Sequence, residues 1–233
     1  MSVAVLVLTA SFVAVPLAAR IVVNRRRTGE LGVRFTRAAG AAQRWAWAAV
    51  VAGGGLTGVL APVAELAAPA GAAVPRGVPE FLLATLPVPA GLRLVGLALA
   101  VAGVVSTSAA QSAMGASWRI DVDPSRHTPL VTGGPFALVR NPVYTAALIW
   151  ATGQTLACPS AVSLTGLAVM TGALQVLVRR VEEPYLARLH GDAYRDYTSH
   201  VGRFLPRLGT HPQLPANAAQ RRAESARGGG TGG

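Results

Sequence analysis

The sequence predicts an all-α integral membrane bundle of about five transmembrane helices, with a C-terminal helical hairpin and short helices on the cytoplasmic surface. Three observations predict it. Only 13% of the 233 residues are charged while 52% are hydrophobic, with a mean hydropathy of +0.43. A soluble domain carries about 25% charged residues, so half of the usual solvating charge is missing. Uncharged runs long enough to cross a bilayer recur along the chain, and the longest has a proline near its middle.

A helix crossing the hydrocarbon core needs about 20 mostly apolar residues, because the core is roughly 30 Å thick and each residue rises about 1.5 Å. Residues 1–19, 45–64 and 94–118 meet that requirement. The first run begins Met1-Ser2-Val3, without the basic segment of a signal peptide, and is expected to remain as a span. Residues 141–178 carry no charge at all, and as one helix would reach roughly 57 Å. Pro159, between Cys158 and Ser160, divides that run into two spans lying back to back. The chain thus reads as N-terminal helices over 1–113, a hairpin region over 114–208, and a tail over 209–233. That tail is Gly, Ala, Pro and Arg, ending Gly-Gly-Gly-Thr-Gly-Gly, a composition that cannot bury enough surface to fold.

Charge placement sets the orientation. All 21 basic residues are arginine, and the formal net charge is +11. With five spans, only Arg76 and Arg93 fall on one side, and every other arginine falls on the opposite side. The positive-inside rule reads this as a multi-pass protein with its N-terminus outside and its C-terminus in the cytoplasm. Arginines that follow topology, without a basic stripe interleaved with aromatics, argue against nucleic acid as a partner. A single cysteine, Cys158, excludes a disulfide framework and a thiolate metal cluster, so no metal site is expected.

Polar residues collect in two stretches flanking the hairpin, 114–144 and 179–206. Gly133 and Gly134 permit backbone conformations that other residues resist. Pro142 suits the first turn of a helix, so the turn before it is expected to present free amides at the hairpin mouth. Glu182 and Glu183 lie just beyond the membrane and before Pro184, which is expected to break or restart the helix. Such carboxylates suit a ribose diol or an ammonium group, while Tyr144, Tyr194 and Tyr197 offer flat faces with a hydroxyl. The same residues equally suit a turn, a helix-surface ion pair from Arg179 to Glu183, and interfacial anchors. Their joint position at one membrane face favours a site.

The two stretches together resemble the isoprenylcysteine carboxyl methyltransferase family of membrane enzymes. The matching pattern is Leu130-Val131-Thr132, Gly134, Phe136, Arg140-x-Pro142-x-Tyr144, a hairpin, Glu182-Glu183-x-x-Leu186, Gly191, Tyr194-x-x-Tyr197 and Val201-x-Arg203-Phe204-x-Pro206. The resemblance covers roughly the C-terminal half. It implies S-adenosylmethionine as cofactor, held by Leu130, Val131, Phe136, Asn141, Pro142, Tyr144 and a glutamate, Glu182 or Glu183. It also implies that Arg179 or Arg180 faces the methyl acceptor, with Glu182 in the catalytic set. Family members commonly carry His where Asn141 stands, and Asn cannot titrate near neutral pH.

Methyl transfer from a sulfonium is an in-line displacement that depends on alignment. A carboxylate acceptor needs no general base, only positioning and removal of water. The implied partners are a lipophilic or small-molecule acceptor and membrane lipid, the acceptor entering sideways between spans whose Gly and Ala leave room. Two other functions fit parts of this layout. One is an NADPH-dependent membrane reductase of the sterol and steroid type. The other is a non-catalytic transporter or scaffold, although transport usually leaves ionisable groups within spans and 141–178 has none.

Overall fold

The structure is a computed structural model that describes residues 1–28, 40–68, 81, 84–114 and 129–210. Seven helices are described: α1 (Ser2–Thr28), α2 (Ala41–Ala67), α3 (Ala90–Ala113), α4 (Pro135–Leu138), α5 (Pro142–Ala157), α6 (Ala161–Leu177) and α7 (Glu183–His200). Among the described residues no strand forms; two isolated bridges join Thr85 to Ser160 and Val139 to Gly202. Residues 115–128 of the first polar stretch, most of residues 67–91 and all but the first two residues of the tail lie outside the described residues.

The hairpin forms where the proline predicts it. α5 ends at Ala157 and α6 begins at Ala161. Ser160 caps α6: its Oγ accepts from the Ser163 amide at 3.1 Å, and Ser163 Oγ accepts from the Ser160 amide at 2.9 Å. Each hydroxyl satisfies an amide that a helix start leaves unpaired. α5 and α6 have 16 and 17 residues, about 24 and 26 Å of helix.

Prolines also explain the two irregular turns. A wide turn over Leu56–Leu60 inside α2 precedes Pro62, and a second over Val178–Glu182 precedes Pro184. A proline inside a helix has no N–H for the carbonyl four residues back and its ring collides there. A wide turn just upstream shifts the hydrogen-bond register and relieves both problems. Pro184 therefore stands in the first turn of α7, where regular α-helix restarts after the wide turn. α6, the wide turn and the first part of α7 run on without interruption from Ala161 to a kink at Gly191, and we take α6 as the membrane-spanning part. Ala41–Ala67, Ala90–Ala113 and Ala161–His200 are long and apolar enough to cross a bilayer, and Ser2–Val15 is a shorter apolar stretch. The protein is an integral membrane protein.

Small residues set the packing. α3 lies along α5, with Gly96 against the Gly153 carbonyl and Gly103 against the backbone of Trp150. α2 crosses α6 where Gly53 and Gly166 face each other; a Cβ on either would sit 2.6 or 2.7 Å from the other's carbonyl oxygen. In lipid the hydrophobic effect does not drive helices together, and close backbone approach supplies dispersion contacts instead. These glycines are filled by neighbouring backbone, so they do not provide the room for an acceptor that their abundance suggested. Trp150, Leu174, Leu177 and Val178 anchor the core, with Phe12 stacked on Trp150 at 4.4 Å.

Two faces result. At the hairpin tip, Ser2 Oγ donates to Glu65 at 2.9 Å, Glu65 pairs with Arg93, and Arg93 Nε donates to the Ala157 carbonyl at 3.0 Å. The start of α1, the end of α2, the start of α3 and the end of α5 therefore share that face. At the opposite face lie Trp47 of α2, Ala113 of α3 beside Gly134, the start of α5 and the end of α6. Among the described residues, α2, α3, α5 and α6 thus run alternately between the two faces.

Candidate active site at the hairpin mouth

The hairpin brings Tyr144 and Glu182 together. Pro142 stands in the first turn of α5, so Tyr144 projects from the same turn, at the mouth. Glu182 ends the wide turn after α6. The Tyr144 hydroxyl donates to Glu182 Oε1 at 2.5 Å. Burial holds the Glu182 carboxyl above the usual carboxylate range, against the Tyr144 hydrogen bond, and the neighbouring Glu183 charge adds to the rise.

Glu183 points elsewhere. Arg203 Nε and Nη2 donate to its two oxygens at 2.8 and 2.7 Å, and Arg140 Nη2 donates to Oε1 at 2.8 Å. Burial acts to raise the Glu183 carboxyl, but the hydrogen bonds from Arg203 and Arg140 outweigh it and hold it below the usual range. Arg140 also donates to the carbonyls of Val201 at 2.6 Å and Gly209 at 3.1 Å. A clasp forms: the segment after α7 lies along the start of α5 and is tied there through Glu183.

The clasp uses the amides expected to be free. Arg140 N–H donates to the Gly202 carbonyl at 2.8 Å and Asn141 N–H to that of Arg203 at 3.1 Å. The Asn141 side-chain amide donates to the same Arg203 carbonyl at 3.2 Å, and Thr145 Oγ1 donates to the Phe204 carbonyl at 2.9 Å. Sequence reasoning had no partner for these amides, because the segment that takes them is some sixty residues downstream.

The other candidates divide. Phe136 and Pro142 are buried, and Leu130 and Val131 are half-buried on the approach to α4. Arg179 and Arg180 are both exposed on the wide turn, with no hydrogen bond among those described placing either one at Glu182. Tyr194 and Tyr197 are buried, and the Tyr197 hydroxyl donates to the Phe136 carbonyl at 2.5 Å, so both pack the clasp rather than the mouth. α7 reaches that position by turning at Gly191, whose φ of 53° is open to glycine and costly for other residues. Gly134, with φ 60°, makes the matching turn into α4. Trp47 is a site residue that the sequence did not single out: its ring lies 6.2 Å from that of Tyr144, edge to face. Nothing in the sequence separates it from Trp45, two residues away and 76% exposed.

Known proteins share parts of this sequence and this fold. Residues 92–193 match the family model described as phospholipid methyltransferase. A protein-S-isoprenylcysteine O-methyltransferase A from Arabidopsis thaliana is 29% identical over 113 residues, 48% of this chain and 57% of that protein. Among solved structures, a eukaryotic intramembrane Ras methyltransferase, an isoprenylcysteine carboxyl methyltransferase, superposes with a TM-score of 0.50 at 16% identity. That superposition covers 87% of this chain and 66% of the other, and it shows a shared fold. The chain spans less than two thirds of each of these two proteins. Over residues 92–193 the chain is therefore similar to phospholipid methyltransferases, and over most of its length it shares the fold of the solved isoprenylcysteine carboxyl methyltransferase.

Proposed function

We propose that the protein is a membrane-embedded methyltransferase that moves a methyl group from S-adenosylmethionine to a lipophilic or small acceptor at the hairpin mouth. The observation that carries this reading is the Tyr144–Glu182 hydrogen bond, which joins the two polar stretches into one site. S-adenosylmethionine, when bound, supplies an activated methyl on a cationic sulfonium. The donor set fits such a molecule. Glu182 is a half-buried carboxyl group that accepts from Tyr144, whose ring meets that of Trp47 edge to face. A carboxylate and aromatic faces are what a cationic ligand with an ammonium group and a ribose diol needs.

The residues then divide the work. Glu182 and Tyr144 bind and orient the cofactor, with Leu130, Val131, Phe136, Asn141 and Pro142 walling the pocket. Glu183, with Arg140 and Arg203, holds the clasp that fixes the pocket floor. Arg179 or Arg180, exposed at the rim, serves an anionic acceptor. A carboxylate acceptor needs no base from this chain; it needs alignment and a dry site. We orient the mouth toward the cytoplasm, where the arginine bias puts it.

Thermal unfolding in detergent tests this reading. S-adenosylmethionine or its demethylated product should raise the melting temperature, and NADPH should not. A protein that responds to neither, while Glu182→Ala and Tyr144→Ala retain wild-type function in cells, is not this enzyme.

A further inference from the structure

The segment after α7 dips into the bundle and comes out again. Gly202, Arg203 and Phe204 are buried, and the residues from Leu205 to Gly209 are exposed. Phe204 belongs to the apolar core that contains Trp150, Leu177 and Val178, and its carbonyl accepts from Thr145 Oγ1 at 2.9 Å. Thr145 lies one turn inside an uncharged span, so the next residue, Leu205, stands at membrane depth while 56% exposed. There the chain reverses. The Leu208 N–H donates to the Leu205 carbonyl at 3.2 Å, and the Leu208 carbonyl accepts from the Arg203 N–H at 2.9 Å. Arg203 is level with Asn141, whose N–H its own carbonyl accepts, so Leu208 is already back at the outer end of α5. The turn is a wedge with Leu205 at its deep end and Pro206 and Arg207 at its centre.

Arg207 is the unexpected residue of this turn. Its φ is 61°, and among the described residues it is the one non-glycine residue with a positive φ. The third position of such a turn favours Gly or Asn, because a Cβ is strained there. The turn itself therefore gives no reason for an arginine. Nor does a partner within the protein: Arg207 is exposed, and among the described residues no hydrogen bond or ion pair holds its guanidinium. An unpaired cation kept at some cost beside an apolar side chain at membrane depth has the layout of an interfacial anchor. The apolar side chain reaches the acyl region and the cation stays at the phosphates.

We infer that Leu205–Arg207 is a lipid-binding wedge, which takes an anionic phospholipid with an acyl chain against Leu205 and its phosphate at Arg207. Phe204 sets the depth, so what meets Leu205 is the same bilayer that surrounds the spans. The charge of Arg207 then favours an anionic lipid over a neutral one. The wedge continues directly from Arg203, which grips Glu183 at 2.8 and 2.7 Å, so one segment both closes the clasp and meets the lipid. This inference needs only that the bundle crosses a membrane and does not rest on the methyltransferase reading.

Two measurements on the intact chain test it. The first uses a nitroxide at Leu205→Cys, on a Cys158→Ser background in phosphatidylcholine vesicles. It should collide more with oxygen, which dissolves in lipid, than with a water-soluble nickel chelate, and a nitroxide at Leu208→Cys should do the reverse. A nickel-dominated signal at Leu205 would put the wedge in water and overturn the inference. The second is native mass spectrometry in detergent with equal amounts of phosphatidylglycerol and phosphatidylcholine. Wild type should retain phosphatidylglycerol preferentially, and Arg207→Gly should reduce that preference by about fivefold. The same variant should melt at or above the wild-type temperature, because glycine relaxes the turn. Arg195→Ala removes an exposed arginine already paired with Asp192 and should leave the preference unchanged. An equal loss at Arg195, or a lower melting temperature for Arg207→Gly, would overturn the assignment: the first would mean diffuse charge, the second a role in folding. Inorganic phosphate at millimolar concentration should not displace the lipid; displacement would mark a free-phosphate site instead.

Discussion

Glu183 and Arg203 form a two-point ion pair, Nε and Nη2 each donating to a separate carboxylate oxygen or sharing it with Arg140, at 2.8 and 2.7 Å. The side chains are 15% and 9% exposed, and that of Arg140 is 2% exposed. Removing the carboxylate leaves two buried guanidinium groups without their anion, which is far costlier than the pair is stabilising. Glu183→Gln should lower stability by about 3 kcal/mol, read as a drop in melting temperature. The pair also makes stability depend on pH. The folded Glu183 carboxyl lies below its unfolded value of about 4.3. Its contribution is therefore complete above about pH 5 and is lost as pH falls through the folded value. The Gln variant should lack that acid limb, and an unchanged limb would show that another carboxylate produces it.

Glu182 should behave differently from its neighbour. It sits in the proposed cofactor site with Tyr144 as its hydrogen-bond partner. Glu182→Gln should leave the stability of the unliganded protein within about 1 kcal/mol of wild type, because relieving a buried charge offsets the weaker hydrogen bond. It should weaken S-adenosylmethionine binding by about 10- to 100-fold, measured by calorimetry. If Glu183→Gln weakened the cofactor and Glu182→Gln did not, the two roles would have to be exchanged.

Much of the fold was legible because membrane helices obey a simple rule of length and charge. The uncharged run over 141–178 and Pro159 were enough to predict α5, α6 and the turn between them. The placing of Tyr144 near Glu182 followed from that turn. The choice between Glu182 and Glu183 was not legible, since adjacent residues on a helix differ by about 100° and the wide turn at Val178–Glu182 shifts that register. Tyr194 and Tyr197 looked like site residues because sequence shows a polar aromatic but not the turn at Gly191 that buries it. Trp47 was invisible for a related reason: which face of α2 turns toward the hairpin depends on close contacts of Gly53 with α6 and of Gly58 with Thr9 and Trp150, and composition does not reveal such contacts.

Glycine substitutions check the packing directly. A Cβ at Gly153 would stand 2.4 Å from the Ala100 amide nitrogen and 2.5 Å from the Gly96 carbonyl oxygen. Both are backbone atoms, so α3 and α5 would have to separate. Gly153→Ala should therefore cost about 1–3 kcal/mol or more. Gly172 on α6 has nothing within 4 Å of the same added carbon. Gly172→Ala should be neutral or slightly stabilising, since alanine is the better helix former. Comparable losses at the two positions would mean that α3 and α5 are not packed as described.

Orientation is open to a direct test, because the two faces have accessible positions at known places. Val3 is 62% exposed near the tip cluster of Ser2, Glu65 and Arg93, and Leu208 is 61% exposed in the clasp. With Cys158→Ser as background, a single cysteine at either position reports its side of the membrane to a maleimide that cannot cross lipid. The arginine bias of the sequence leads to the expectation that the mouth lies on the cytoplasmic side, because positive loops stay in the cytoplasm. Val3→Cys should label in intact cells and Leu208→Cys only after lysis. The reverse pattern would invert the protein and put the proposed site outside the cell, away from a cytoplasmic supply of S-adenosylmethionine. Labelling of both positions from one side would require an even number of passes and would break the alternation that brings Tyr144 to Glu182.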